Sequence, residues 1–226
     1  MYWTQGNIMN DLKAKVAHAA LEYIEDHRII GVGTGTTVEY FIRELAGLRA
    51  RIDGCVASSL ATAQQLRAVG LVVLDLNVVD ALPIYIDGAD EVNAQHAMLK
   101  GAGGALAREK VLASVAHNFL CIVDETKLVQ QLGSCPVVIE VLPIARGFVA
   151  REVVKLGGTP VYRFGELTDN GNILLDVHHL SLLNPTELED HLNTLPGVVE
   201  NGVFAKRRAD HVLVATKHSV KSLRAT

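Results

Sequence analysis

Between Arg28 and Val123, short apolar runs alternate with longer amphipathic stretches, and this alternation limits the possible folds more than any other feature of the chain. Arg28–Val32, Gly54–Ala57, Val72–Leu74, Ile84–Ile86 and Phe119–Val123 read as strands, each a brief apolar run bounded by turn residues. Thr36–Leu48, Leu60–Val69 and Gly104–Ala116 read as helices. Ahead of them, Asp11–Asp26 has Val16, Ala19, Ala20, Tyr23 and Ile24 at helical spacing, with Asn10 or Asp11 as N-cap. Strands that are apolar throughout and joined through helices need cover on both sides. The pattern predicts an α/β fold with a Rossmann-like, mainly parallel sheet and helices on both faces.

The rhythm changes after Gly133. Val137–Val141, Ala145–Leu156, Val161–Phe164, Ile173–Val177, Asn184–Leu195 and Val198–Phe204 give the order β-α-β-β-α-β, with Pro185 at the first helical position of the second helix. That order is the split-βαβ, ferredoxin-like arrangement. Asp210–Thr216 reads as one more buried strand, returning to the first sheet. The expected organisation is a Rossmann-like catalytic domain of residues 1–132 and 206–226, with a smaller α+β ferredoxin-like lid of residues 133–205.

Composition excludes several classes of function. With 49% hydrophobic residues in 226, the chain can bury one large core or two modest ones. A net charge of −4 gives no electrostatic footprint for nucleic acid. Cys55, Cys121 and Cys135 have no CxxC spacing and read as reduced thiols of a cytoplasmic protein. The first ten residues have neither a basic nor an apolar signal-peptide region, and no apolar run approaches the ~20 residues of a membrane span. The nine histidines form no HxH or HExxH pattern. His178 and His179, adjacent in a predicted strand, would face opposite ways. No metal site and no cofactor are expected.

Two segments concentrate the chemistry. Asp87-Gly-Ala-Asp90-Glu91 follows the apolar run Pro83–Ile86, so its carboxylates fall where a strand ends, in the usual ligand crevice of an α/β sheet. Lys100-Gly-Ala-Gly-Gly104 precedes a helix with Glu109 in its first turns. Singly, an Asp-Gly is a turn and a lysine before glycines is a solvated loop residue. In this order they place carboxylates and an ammonium around one backbone cradle, which suits proton transfer on a small anionic substrate. Gly31-Val-Gly-Thr-Gly-Thr-Thr37, between a strand and a helix, offers backbone amides and hydroxyls to an anion. A dinucleotide fingerprint is the rival, supported by Asp53 but opposed by Thr36 at the third glycine position. Ser58 and Ser59 read equally as a helix N-cap or as ligand contacts. Lys127, after Phe119–Val123, reaches the same rim.

Taken together, GVGTGTT (31–37), ASSLAT (57–62), DGADEV (87–92), KGAGGALAREK (100–110), VDETK (123–127) and TDNGN…LDVH (168–178) closely resemble the type A ribose-5-phosphate isomerases. The likeness runs from about Asp11 to the C-terminus. It implies interconversion of ribose 5-phosphate and ribulose 5-phosphate, in the pentose phosphate pathway, without metal or cofactor. It carries the general base onto Glu109 and sugar contacts onto Asp87, Asp90 and Lys100, with the intervening backbone of Gly88 and Ala89 and of Gly101, Ala102 and Gly103. Phosphate contacts fall on Thr34, Gly35, Thr36 and Thr37, with Lys127 nearby. The family usually shows three consecutive glycines after the lysine, whereas here Ala102 interrupts them and must adopt a conformation open to an L-residue.

The implied chemistry needs these residue types. One carboxylate over both carbons can take a proton from one and return it to its neighbour through a cis-enediol. Lys100 answers the charge on the enediolate oxygen. Asp87 suits ring opening and Asp90 orients a hydroxyl. A sugar-phosphate-sensing effector domain and a CoA-transferase-like enzyme with a nucleophilic glutamate are the competing classes. The expected partners are a sugar phosphate and further copies of the chain, as a homodimer or homotetramer, with no nucleic acid and no membrane.

Overall fold

The computed structural model describes residues 2–24 and 28–224. In chain order the elements are α1 (Tyr2–Ala19), β1 (Ile29–Val32), α2 (Thr36–Leu45), β2 (Gly54–Ala57), α3 (Leu60–Ala68), β3 (Leu82–Asp87), β4 (Glu91–Val92), β5 (Met98–Leu99), α4 (Leu106–Val115) and β6 (Ala116–Asp124). There follow β7 (Val137–Val141), α5 (Arg146–Lys155), β8 (Thr159–Tyr162), β9 (Ile173–His178), α6 (Pro185–Thr194), β10 (Val198–Asn201), β11 (Val203–Phe204), β12 (His211–Ala215) and β13 (Val220–Arg224). The chain forms two compact units. The first comprises Met1–Ala89, Val111–Leu128 and Ala209–Thr226; the second comprises Asp90–Lys110 and Val129–Arg208. Residues 90–110 thus pack with the second unit, through their own strands and the bond from the Lys100 amide to Gly202 O.

In the first unit six strands form one sheet in the order β13-β12-β6-β3-β1-β2. All neighbours run parallel except the β12–β13 edge. Counting only the parallel strands, the order is 2-1-3-4-5, so the winding reverses between β1 and β3, where a doubly wound sheet opens its ligand crevice. Ile30, Val32, Ile84, Ile86, Leu120, Ile122, Leu213 and Ala215 fall on one face by the two-residue period and join one core. Against them lie Leu12, Val16, Ala17 and Ala20 of α1 and Val38, Phe41, Ile42 and Leu45 of α2, the latter an i, i+3, i+4, i+7 stripe. The opposite face is buried too, Tyr85 and Phe119 stacking with ring centroids 5.1 Å apart. Burial pushes the Cys55 thiol up to about 12, which keeps it inert as a nucleophile.

In the second unit the sheet order β10-β7-β9-β8 is wholly antiparallel. With α5 and α6 as connections, this is the ferredoxin-like arrangement. A separate three-stranded ribbon, β11-β5-β4, lies in the same unit.

Several local expectations are corrected. Helix α1 has already begun at Tyr2, so Asn10 and Asp11 lie inside it and neither is its N-cap; the last two residues of the predicted helix lie outside the described residues. Val72–Leu74 makes a single bridge, Val73 to Cys55, because Val72 is 57% exposed and the chain turns at once into Leu76–Val78. The predicted strand Val198–Phe204 is two strands in different sheets. It breaks at Gly202, where a β-carbon would lie 2.1 Å from Lys100 O. His179 leaves the strand at φ 63°, so strand alternation does not govern the two histidines.

Candidate active site

In the first unit the parallel strands deliver three loops to one rim of the sheet: Gly33–Thr37 after β1, Asp87–Ala89 after β3, and Asp124–Lys127 after β6. At the centre of these loops is Asp87, which is 0% exposed. Its Oδ1 accepts from the Thr34 amide at 3.0 Å and the Gly88 amide at 2.7 Å, and its Oδ2 accepts from the Tyr85 hydroxyl. A carboxylate taking amide and hydroxyl donors on both oxygens fixes the loop that supplies them.

Gly33 shows the tightness of this fit, since a β-carbon there would lie 1.9 Å from Asp87 Oδ1. Gly33→Ala is expected to force the carboxylate aside at a cost of about 1–3 kcal/mol. Equilibrium urea unfolding measures this as a lower midpoint, and an unchanged midpoint would mean the loop yields freely.

Thr34 is held from a second direction by buried hydroxyls. Its Oγ1 lies 2.8 Å from Ser58 Oγ, 2.9 Å from Ser59 Oγ and 3.2 Å from Thr62 Oγ1. Ser59 also caps α3, accepting from the Thr62 amide at 3.0 Å, and Ser58 is 0% exposed. Both serines therefore act inside the protein. Gly35, at φ 119°, makes the turn into α2 that an L-residue would resist. Gly35 and Thr36 are exposed and Thr37 half-buried, so the first amides of α2 open outward. Lys13 of α1 donates to Thr36 Oγ1 at 2.7 Å, which adds an ammonium to the loop. Nothing in the local pattern marks Lys13, because only the packing of α1 beside α2 brings it there. Lys127 is half-buried on the turn that Asp124 caps through the Thr126 amide, at 2.9 Å. Asp53 pairs with the exposed Arg28 at 3.3 Å.

In the second unit Lys100 and Glu109 are brought together as an ion pair, Nζ to Oε2 3.3 Å, with the residues 4% and 5% exposed. Lys100 Nζ also lies 5.6 Å from the centroid of the Phe204 ring. The turn between them takes its strain on glycine: Gly101 has φ 119° and Gly104 φ 74°, and Gly104 N donates to Gly101 O at 2.9 Å. Ala102 is exposed and is not among the positive-φ residues, so the departure from three glycines falls where glycine is not required. Gly103 is exposed beside it. Asp90, half-buried, accepts from the Ala102 amide at 3.0 Å. Glu91 accepts from the Gly133 and Cys135 amides at 2.7 and 2.5 Å and serves the fold.

Glu109 sits in the first turn of α4 with anchored neighbours on both sides. Lys110 Nζ reaches Glu189 at 3.1 Å, Glu200 at 2.9 Å, Asn201 O at 2.7 Å and Val203 O at 2.8 Å. Arg108 Nε donates to Asn170 Oδ1 at 2.8 Å, and its Nη2 to Asp169 O at 3.0 Å. Among the described residues, no group of three or more His, Cys, Asp or Glu side chains is placed to hold a metal ion. What the two units present is a buried carboxylate beside an ammonium in one, and in the other a loop whose helix-N-terminal amides and hydroxyls open outward.

Comparison with known proteins gives a consistent result. Residues 54–219 match the family model for ribose 5-phosphate isomerase A (phosphoriboisomerase A). Ribose-5-phosphate isomerase A of Legionella pneumophila (strain Philadelphia 1) is 61% identical over 216 residues, covering 96% of this chain and 100% of that protein. Among solved structures, ribose 5 phosphate isomerase A from Neisseria gonorrhoeae has a TM-score of 0.94 at 39% identity, covering 96% of this chain and 98% of that one. A D-ribose-5-phosphate isomerase in complex with phospho-erythronic acid has a TM-score of 0.90 at 37% identity, covering 96% of this chain and 99% of that one.

Proposed function

This chain belongs to the ribose-5-phosphate isomerase A family, and from that premise we propose how its residues divide the work of isomerisation. It is an aldose–ketose isomerase that interconverts D-ribose 5-phosphate and D-ribulose 5-phosphate. The observation that carries the assignment of roles is the buried Lys100–Glu109 pair, held at 3.3 Å behind a glycine turn.

In the proposed mechanism Glu109 takes the C2 proton of the open-chain aldose. The C–H electron pair becomes the C1–C2 double bond of a cis-enediol(ate), and the carbonyl pair moves to O1, which takes the proton that O2 gives up, relayed by Asp90. Loss of that proton from O2 forms the C2 carbonyl, and Glu109 returns its proton to C1. A positioned base of this kind supplies typically ~10²–10⁴-fold in rate. Lys100 faces the oxygen on which charge develops, where a fixed ammonium is worth more than in water. The phospho-erythronic acid bound by the relative fits this picture. Its carboxylate puts two oxygens on one planar carbon, as the reacting end of the enediolate carries two oxygens on a planar pair.

The phosphate falls to the amides of Gly35, Thr36 and Thr37 and the hydroxyls of Thr36 and Thr37, with Lys13 and Lys127 adding positive charge, while Thr34, its amide given to Asp87, anchors the loop. The backbone of Gly88, Ala89, Gly101, Ala102 and Gly103 lines the sugar. Asp87 and Asp90 divide the remaining tasks by exposure. Asp87, fully buried under three donors, holds the Thr34 and Gly88 amides in place. Asp90, half-buried, is the carboxylate that meets the sugar hydroxyls and assists ring opening.

Incubating the purified protein with ribose 5-phosphate and following ketose formation tests the activity; no ketose at enzyme concentrations approaching those of substrate would refute it. We also propose a cytoplasmic homodimer or homotetramer, for which Cys55, Cys121 and Cys135, none of them in a disulfide, fit a reducing compartment. Light scattering on the eluting peak measures the assembly, and a monomeric mass would reject it. No described helix is long and apolar enough to cross a membrane.

A further inference from the structure

The TDNGN…LDVH stretch is part of the family resemblance, yet none of its residues has a place in the mechanism. It forms the connection and second strand of the β8–β9 hairpin, and three residues of the hairpin, Arg163, Asp169 and Asn170, reach the 100–110 segment at two separate points.

At the first point Arg163, directly after β8, grips Asp176 of β9 with Nε and Nη2, both at 2.6 Å. This fork orients the remaining guanidinium nitrogen, and Nη1 donates to Ala102 O at 3.0 Å. The amide of that same Ala102 donates to Asp90. One residue between Lys100 and Glu109 thus has its carbonyl fixed by the hairpin while its N–H holds a sugar-facing carboxylate. The Asp176 hydrogen bond raises the Arg163 pKa, and Asp90 contributes in the same direction, so the guanidinium stays charged at any working pH.

At the second point Arg108, the residue before Glu109, is held by Asn170 Oδ1 and Asp169 O of the turn. That turn is itself anchored from below. Glu140 of β7, 0% exposed, accepts through Oε1 from Thr168 Oγ1 at 2.9 Å, Asn170 Nδ2 at 3.0 Å and Asn172 Nδ2 at 2.7 Å. Thr168 Oγ1 accepts in turn from the amides of Asn170 and Asn172, both at 3.2 Å. Asn170 therefore has its amide nitrogen tied to the sheet and its carbonyl oxygen aimed at Arg108. A surface turn that only closed a hairpin would need neither.

We propose that the β8–β9 hairpin is a two-point clamp on the active-site segment, in which Arg163 positions the Lys100–Ala102 turn with Asp90, and Asn170 with Arg108 positions Glu109. These are positioning residues; none is placed on the substrate. The proposal rests on the roles given above to Glu109, Lys100 and Asp90. Since misplacing a reacting group by about 1 Å can cost ~10²-fold, release of either point is expected to show in kinetics before it shows in folding.

The test is steady-state kinetics with ribose 5-phosphate, well below the melting temperature, on Arg108→Met, Asn170→Ala, their double variant, Arg163→Met and Arg163→Lys. Glu109→Gln is measured alongside. The two points should separate. Arg108→Met and Asn170→Ala lower kcat about ten-fold with KM within about two-fold, and the double variant is no worse than the poorer single one, since both cut one linkage. Arg163→Met raises KM about ten-fold through Asp90, with a smaller loss in kcat. Arg163→Lys keeps the charge without the fork and recovers only part of it. If Arg163→Met does not fold, Arg163→Lys carries that arm. Wild-type kcat and KM in all of these, with only a lower melting temperature, would overturn the clamp and leave the hairpin as scaffold. Additive losses in the double variant would overturn the Asn170–Arg108 linkage. Full turnover in Glu109→Gln would instead overturn the assignment of the base, a failure distinct from that of the clamp.

Discussion

Glu109→Gln is expected to bind ribose 5-phosphate about as well as the wild type and to turn it over at least ~10²-fold more slowly. The substitution keeps the length, shape and planarity of a side chain that is 5% exposed in the first turn of α4, so the fold has little reason to change. It removes the one property the mechanism needs, a lone pair that can accept a proton and give it back. The amide also preserves an oxygen toward Lys100, so the ammonium is not left without an acceptor. Isothermal titration and initial-rate kinetics on the same preparation separate the two effects. Equal losses in affinity and turnover would point to a residue that binds, and unimpaired turnover would move the base to another carboxylate.

The second large effect is expected at Lys100. Its ammonium does two things at once. It neutralises Glu109 in a nearly closed environment, and in the proposed mechanism it meets the oxygen that becomes negative. Removing one partner of a buried pair typically costs about 3–5 kcal/mol, because the other charge stays behind. Lys100→Ala therefore lowers the melting temperature as well as kcat, which would blur the interpretation. Lys100→Met keeps most of the side-chain volume beside Phe204 and isolates the charge. At 25 °C, where both variants remain folded, kcat should fall by at least ~10²-fold in each, in line with the loss of one preorganised donor to a developing oxyanion. If Lys100→Met melts early but turns over normally, the lysine is structural.

What the sequence made legible, and what it hid, follows from the range over which each signal acts. Gly54–Ala57 and Val137–Val141 are strands to the residue because an apolar run with turn residues at both ends is a local signal. The βαβ order placed the crevice residues at the ends of β1, β3 and β6 by the same logic. Strands β4 and β5, two residues each, are too short to show any period and exist because β11 pairs beside β5. Strand β13 reads Val-Lys-Ser-Leu-Arg, too polar to announce itself, and pairs only as an antiparallel edge. Gly202 hides its role as well, since the approach of Lys100 O explains why the predicted strand Val198–Phe204 had to divide there.

At the candidate site, Glu109 and Lys100 could be singled out because they share one short segment. Three features depended on distant packing. Lys13 meets Thr36 across 23 residues, Arg163 meets Ala102 across 61, and Lys110 meets Glu200 across 90. Asp87 teaches a related lesson. Its position at the end of a strand was readable, but the three donors on its carboxylate come from the β1 loop, from the turn after it and from Tyr85 two residues back on β3, and they shift its proposed part from acid–base work to holding the loop.

The most direct test of the central claim is solvent-deuterium incorporation during the reaction, compared between the wild type and Glu109→Gln at saturating ribose 5-phosphate. A carboxyl group that carries the proton between C2 and C1 can exchange it with D₂O during the lifetime of the enediol, so ribulose 5-phosphate formed by the wild type should carry deuterium at C1, seen by NMR or mass spectrometry. In Glu109→Gln both isomerisation and incorporation should fall together by at least ~10²-fold while the substrate still binds. Deuterium entering C1 at the wild-type rate in Glu109→Gln would contradict the account, because another group would then be moving the proton.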